Sequence, residues 1–299
     1  MFSKGRVASV VGGCLLVAGC GSGGTAAQDG KLDLVTSFYP LQYVTQRIAG
    51  DTATVGSLTA PGAEPHDLEL TPKAVAQVAD ADLVVYLGGF QPSVDEAATQ
   101  NAGDHRLDVA AAARLDRADP EGEQASGLDP HFWLDPTRLS AVATDIEQRL
   151  AEAAPAHAAV YETNLKSLTG DLAALDASFR KGLAHCANRD VVTSHEAFGY
   201  LAQRYGLTQV GITGLSPEQE PDAATLARVT TFVREHDVRT IYYETLVSPA
   251  IARTVAAETG AATDVLDPIE AVTPQSRGTD YLSIMASNLT ALQKGQSCS

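Results

Sequence analysis

Along this chain the apolar residues recur with a period of two in some stretches and about three and a half in others, which outlines alternating strands and helices. Lys31 to Phe38 contains the alternating run LDLVTSF, a strand. After Pro40, LQYVTQRIAG places Leu41, Val44 and Ile48 on one helical face, and Gly50 ends the helix. Thr52 to Leu58 reads as a second strand, the loop APGAEPHDLEL follows, and a helix runs from about Pro72 to Val78 with proline in its first turn. Leu83 to Gly89 (LVVYLGG) is an apolar run of the kind buried in a parallel sheet, so the opening pattern is βαβαβ.

A second block begins at Pro136, where a helix carries Leu139, Val142, Ile146 and Leu150 until Pro155 breaks it. Helical spacing resumes from Ala156 to about Ala187 through Tyr161, Leu165, Leu168, Leu172, Leu175, Phe179 and Leu183. At ~1.5 Å per residue this element would be about 45 Å long, enough for a strut between two lobes. Beyond it the α/β alternation returns: strands at Asp190–Thr193, Thr208–Ile212, Thr240–Tyr243 and Thr263–Leu266, with helices at Ala197–Tyr205, Asp222–His236 and Pro249–Thr259 between them. No fixed-period repeat relates the halves.

The segment before Lys31 has a different character. Lys4 and Arg6 precede an apolar run from Val7 to Ala18, too short to span a bilayer and suited to a signal-peptide core. It ends Val17-Ala18-Gly19-Cys20, which looks like the bacterial lipobox, with Cys20 as the lipid-bearing residue after cleavage. GSGGTAAQDG (Gly21 to Gly30) then reads as a flexible tether. The expected product is soluble, extracytoplasmic and lipid-anchored to the cell membrane.

With 21 Lys+Arg against 37 Asp+Glu the formal charge is −16, and losing Lys4 and Arg6 with the signal makes it −18. Such a surface repels phosphate backbones and excludes nucleic-acid binding through a basic face, while favouring small cations. Of the 4 cysteines, Cys14 leaves with the signal and Cys20 takes the lipid, leaving Cys186 and Cys298. In an oxidising compartment an even pair reads as a disulfide, and closing a loop of ~110 residues contributes about 4.7 kcal/mol in the chain-entropy picture.

Seven histidines are candidates for chemistry. His157, His185 and His236 fall on expected helices among polar neighbours and His105 in a loop, all simplest as surface residues. His66 follows the second strand, His195 directly follows the strand DVVTS, and His131 sits in an Asp-Pro-His-Phe-Trp loop before a helix. Functional groups in parallel sheets gather beyond the carboxyl ends of strands, so these three are candidates for one shared site. Three neutral imidazoles and a carboxylate suit Zn²⁺ in tetrahedral geometry. Asp267 and Glu270 of LDPIE, and Glu244 of YYETLVSP, are the available acids.

Taken in order, PGAEPHDLELTPKAVAQVADADLVVYLG, DPHFWLDP, VVTSHEAFGYLAQRYGL, GLSPEQEPDA, YYETLVSP and VLDPIE resemble the metal-binding lipoproteins that serve ABC importers of zinc or manganese, and specifically the ZnuA-like zinc branch. The likeness runs from about Lys31 to Leu292. It implies an α/β fold of two parallel-sheet lobes of similar topology, joined by a long rigid backbone helix, with metal held in the cleft between them. The expected division is a signal peptide at 1–19, the tether at 20–30, an N-terminal lobe at 31–155, the linking helix at 156–187 and a C-terminal lobe at 188–299.

The resemblance maps metal ligands onto His66, His131 and His195. A histidine rather than glutamate at the third position favours zinc over manganese. It draws the fourth ligand from the loop matching LDPIE, with Glu270 ahead of Asp267 and with Glu64 or water as the other options. Many zinc relatives carry a long His-rich loop between the first two ligand segments, whereas Ala112 to Gly127 here is short and contains no histidine. The implied partners are a cognate ABC permease and ATPase, with the receptor a monomer and not an enzyme. The rival readings are a manganese receptor, a surface adhesin that uses metal for stability, and a zinc hydrolase with Glu196 or Glu244 as base. No HExxH helix supports the last of these.

Overall fold

Short apolar strands flanked by capped helices build the frame. The computed structural model describes residues 31–116 and 127–299. The expected signal at 1–19, the tether with Cys20, and 117–126 of the short stretch from Ala112 to Gly127 lie outside the described residues. The first half contains β1 (Leu32–Thr36), α1 (Tyr39–Ala49), β2 (Ala53–Ser57), α2 (Pro72–Asp80), β3 (Leu83–Tyr86), α3 (Pro92–Asn101), β4 (Arg106–Asp108) and the single turn α4 (Ala110–Ala113). All neighbouring strands are parallel, in the order β2-β1-β3-β4. After α5 (Pro136–Ala153) and α6 (Ala158–Gly182) come β5 (Asp190–Thr193), α7 (Gly199–Tyr205), β6 (Thr208–Gly211), α8 (Ala223–Glu235), β7 (Thr240–Tyr243), α9 (Ala250–Thr259), β8 (Ala262–Val265) and α10 (Tyr281–Gly295). The second sheet is also parallel, ordered β6-β5-β7-β8, so the two sheets share one topology.

Local chemistry explains the boundaries. Thr71, Asp135 and Asp222 cap α2, α5 and α8 by accepting hydrogen bonds from Ala74, Thr137 and Thr225 backbone N–H groups. Asp280 and Ser283 close a capping box on α10. Gly50 ends α1 at a φ of 55°, a conformation that costs glycine little. α3, β4, α4 and α10 carry no strong periodic signal. β4 is three residues long, and the burial of α3 is confined to Val94, Ala97 and Ala98.

The linking helix is shorter than the spacing over 156–187 suggests. A 3-10 turn at Pro155–His157 precedes it, and α6 proper has 25 residues, or about 37 Å at ~1.5 Å each. Its buried face is Tyr161, Leu168, Leu172, Leu175 and Phe179, with Asp176 among them. Past Leu183 the chain leaves the helix and sets Cys186 opposite Cys298 in an antiparallel bridge. His157 and His236 accordingly sit at helix edges, and His185 lies in the turn after α6.

Residues Lys31–Ser299 form one compact unit. A continuous apolar cluster runs from Leu34, Leu41 and Trp133 through Tyr161, Leu172 and Phe179 of α6 to Leu201, Tyr242 and Tyr281. The opposite faces of the sheets are covered separately, one around Val35, Val78 and Val84 and the other around Val192, Val229 and Ile241. Among the described residues no helix is long and apolar enough to cross a membrane.

Cys186 and Cys298 are joined by a disulfide across a separation of 112 residues. It fastens the C-terminal tail to the start of the second sheet, where Asn188 N–H also donates to the Gln296 carbonyl at 3.2 Å. Reduction is expected to lower folding stability by about 2–5 kcal/mol, read as an earlier guanidinium midpoint. Equal midpoints with and without reductant, or two free thiols in untreated protein, would contradict this.

Candidate metal centre

Each of the expected histidines lies just beyond a strand or at a helix entrance. His66 is in the loop after β2, where its backbone N–H donates to Glu64 Oε2 at 2.9 Å and its ring packs edge-on against Phe90 with centroids 4.9 Å apart. His131 lies in a turn made by Asp129, whose Oδ1 accepts both the backbone N–H of His131 at 2.9 Å and its Nδ1–H at 2.7 Å. His195 follows β5, and its carbonyl accepts the Thr193 hydroxyl at 2.7 Å and the Gln209 amide at 3.0 Å. Its Nδ1–H donates to Glu244 Oε1 at 2.7 Å. Glu270 enters from the loop after β8.

The four side chains converge. Nε2 of His131 lies 3.3 Å from Nε2 of His66 and 3.4 Å from Nε2 of His195. Oε1 of Glu270 lies 3.2 Å from His66, 3.2 Å from His131 and 3.4 Å from His195. All four donor atoms fall within 4.8 Å of one another. A tetrahedral ion with bonds of about 2.0–2.1 Å holds its donors about 3.3–3.4 Å apart, so five of the six edges of such a cage are already near their bound length. His131, His195 and Glu270 are buried, while His66 lines a cavity of about 310 Å³ together with Phe90, Leu128 and Pro130.

The carboxylates behind the imidazoles fix their chemistry. An ionised carboxylate can only accept, so Asp129 and Glu244 keep one proton on Nδ1 of His131 and His195 and point both Nε2 atoms inward, where each offers a lone pair once its own proton has left. Burial alone disfavours the His195 imidazolium, but Glu244 and Glu270 outweigh it and raise its pKa to about 10. For His131, burial is likewise overcome, by Asp129 and Glu270, and the pKa is raised. His66 is lowered, chiefly by burial, with the other two imidazoles adding to that effect against Glu270. Burial works against the Glu270 carboxylate, yet contact with three imidazoles holds its pKa well below the ordinary value. Glu270 Oε2 is buried without a protein partner.

The other acids separate by position. Asp267 is outside the group of four, its carboxylate taken by Ser276, Thr245 and the backbone of Ile269. Glu64 Oε1 stays 3.7 Å from His66 Nε2, and burial together with the charge of Glu270 raises its pKa to about 7. Glu244 backs His195 instead of joining the donors. Asp129 and Trp133 were not singled out by the sequence, although an aspartate two residues before a histidine is a recognisable turn former. Trp133 joins the two loops of the site, since its indole N–H donates to the Pro268 carbonyl at 2.7 Å.

The model of the family described as ZnuA, zinc-uptake complex component A periplasmic, matches residues 34–295. The chain is 37% identical over 312 residues to the high-affinity zinc uptake system protein ZnuA of Bacillus subtilis, with 98% of each covered. It superposes with a TM-score of 0.75 and 37% identity on the Zn(II)-bound ZnuA-like domain of Streptococcus pneumoniae AdcA, covering 89% of this chain and 99% of that one. The full AdcA lipoprotein is longer, and the match spans 56% of it. The laminin-binding adhesin Lmb of Streptococcus agalactiae gives a TM-score of 0.81 at 32% identity, covering 89% of this chain and 99% of that one. With a family match running through both sheets and a relative matched over nearly its whole length, the chain belongs to the ZnuA family of periplasmic zinc-uptake components.

Proposed function

We propose that this protein is an extracytoplasmic receptor that takes Zn²⁺ as cargo into a cage of His66, His131, His195 and Glu270 and delivers it to an ABC permease. The observation that carries this reading is the set of donor separations between 3.2 and 3.4 Å, the edge lengths of a tetrahedral zinc shell. Three nitrogen donors and one oxygen also favour zinc over manganese, which prefers six oxygen-rich positions. Four protein donors leave no open position for an activated water, which favours a carrier over a zinc hydrolase.

The rest of the proposal follows from placement. His66, the ligand beside the cavity, is the one an ion meets first on entry. The lipobox at Cys20 would hold the receptor at the outer face of the membrane, near its permease, with 31–155 and 188–299 acting as the two lobes and a single copy sufficing. Lmb shares the fold under an adhesin name, and zinc capture is the reading that the buried cage favours here.

Binding is expected to expel protons. At neutral pH the raised His195 holds a proton that the ion must displace, and the upward shift of His131 works in the same direction, so affinity rises with pH toward the His195 value of about 10 and falls as pH drops. Calorimetry in buffers of different ionisation enthalpy should report net proton release near pH 7, and buffer-independent heats would contradict it. Replacing His131 with Ala is expected to weaken zinc binding by orders of magnitude while the apo protein still folds. Chelator competition and circular dichroism check this, and unchanged affinity would remove His131 from the site. Glu244→Ala, which frees the His195 ring, is expected to cost about 10–100-fold in affinity by the same competition assay.

A further inference from the structure

The loop that delivers Glu270 contains a conformation that its sequence disfavours. Ile269, fully buried, sits at a φ of 60°. A β-branched residue there crowds its Cβ against the neighbouring carbonyl oxygen, and such residues persist where the surroundings hold them. The backbone leading into it is held firmly. The Asp267 N–H donates to Asn288 Oδ1 at 2.9 Å, and its carbonyl accepts the Asn288 amide at 2.7 Å. The Pro268 carbonyl accepts the Trp133 indole. Ile269 itself is gripped by one bond, from its N–H to Asp267 Oδ1 at 2.8 Å. The other oxygen of Asp267 is steadied by Ser276 at 2.7 Å and Thr245 at 3.3 Å.

The φ of one residue sets the direction in which the next side chain leaves the backbone. Glu270 follows Ile269 directly, and apart from the imidazoles its carboxylate has little to hold it, since Oε2 has no protein partner. Its aim is therefore a property of the backbone behind it.

We propose that Asp267 is a positioning residue of the metal centre. By pinning Ile269 in the left-handed conformation it turns Glu270 onto the three imidazoles, so that the ion meets four protein donors in place of three. Without the pin, Ile269 relaxes to a negative φ and Glu270 leaves the cage. This rests on the reading above that Glu270 ligates the ion, and the experiment separates the two.

Zn²⁺ affinity by chelator competition and the visible spectrum of bound Co²⁺ are measured for the wild type, Asp267→Ala, Asp267→Asn, Glu270→Ala and the Asp267→Ala/Glu270→Ala double variant. Asp267→Ala and Glu270→Ala are each expected to lose about 10–100-fold in affinity and to share one Co²⁺ spectrum. The double variant is expected to bind no more weakly than Glu270→Ala alone, because Asp267 acts through Glu270. Asp267→Asn keeps an oxygen for the Ile269 N–H and is expected to match the wild type.

Wild-type affinity in Asp267→Ala with a weakened Glu270→Ala overturns the positioning role and leaves the ligand reading standing. Losses that multiply in the double variant also overturn it, as does Asp267→Asn binding as weakly as Asp267→Ala. Wild-type affinity in Glu270→Ala overturns the ligand reading and this inference with it. Should Asp267→Ala fail to fold, Asp267→Leu, of similar size and without an acceptor for the Ile269 N–H, is read in its place: weakened binding with the Glu270→Ala spectrum supports the pin and wild-type binding overturns it.

Discussion

Three imidazole nitrogens and a carboxylate oxygen, brought within hydrogen-bonding distance of one another and mostly shielded from water, form an arrangement that is costly until positive charge occupies its centre. Protons can supply that charge, and the Glu244 and Glu270 carboxylates raise the His195 pKa for that reason. A divalent ion supplies more of it and meets every donor at once. The fold can be read as the apparatus that keeps these four groups together against their preference for water. Asp129 and Glu244 fix two rings, Phe90 packs against the third, and the strained loop at Ile269 presents the carboxylate.

The donors come from points distant in sequence, and the bonds that unite them come from neither sheet alone. Trp133, two residues past His131, donates to the carbonyl two residues before Glu270, and its own carbonyl accepts the Tyr281 hydroxyl at 2.6 Å. Trp133 also lies 5.0 Å from Phe38 and 5.2 Å from His131 between ring centroids. One residue, through its indole and its backbone carbonyl, thus ties the turn carrying His131, the loop carrying Glu270 and the start of α10 into a single block. Such a block tolerates little change in volume, because its aromatic faces leave no slack to absorb it.

Much of the fold was legible in the sequence because its signals are local. The apolar runs of β1, β3, β5 and β7, the prolines that open α2 and α5, and the stripe from Tyr161 to Phe179 need no knowledge of distant residues. The segments that gave no signal are those stabilised by contacts from elsewhere: the three-residue β4, the mostly polar α3, and α10, whose buried face answers α6 across more than a hundred residues. The site divides the same way. The three loop histidines stand out because of where strands end, whereas the separation of Glu270 from Asp267 depends on a backbone angle at Ile269 that no residue pattern announces. The partnering of His195 with Glu244 likewise depends on β5 and β7 being neighbours.

The apolar cluster that passes unbroken from one sheet through α6 to the other bears on how a second protein could tell a laden receptor from an empty one. A seam buried this deeply resists swinging apart as two rigid jaws. What an ion would alter first is the rim of the opening, where His66, Phe90 and Leu128 line the cavity beside the donors. The lip of the pocket is therefore the surface on which the two states would differ most.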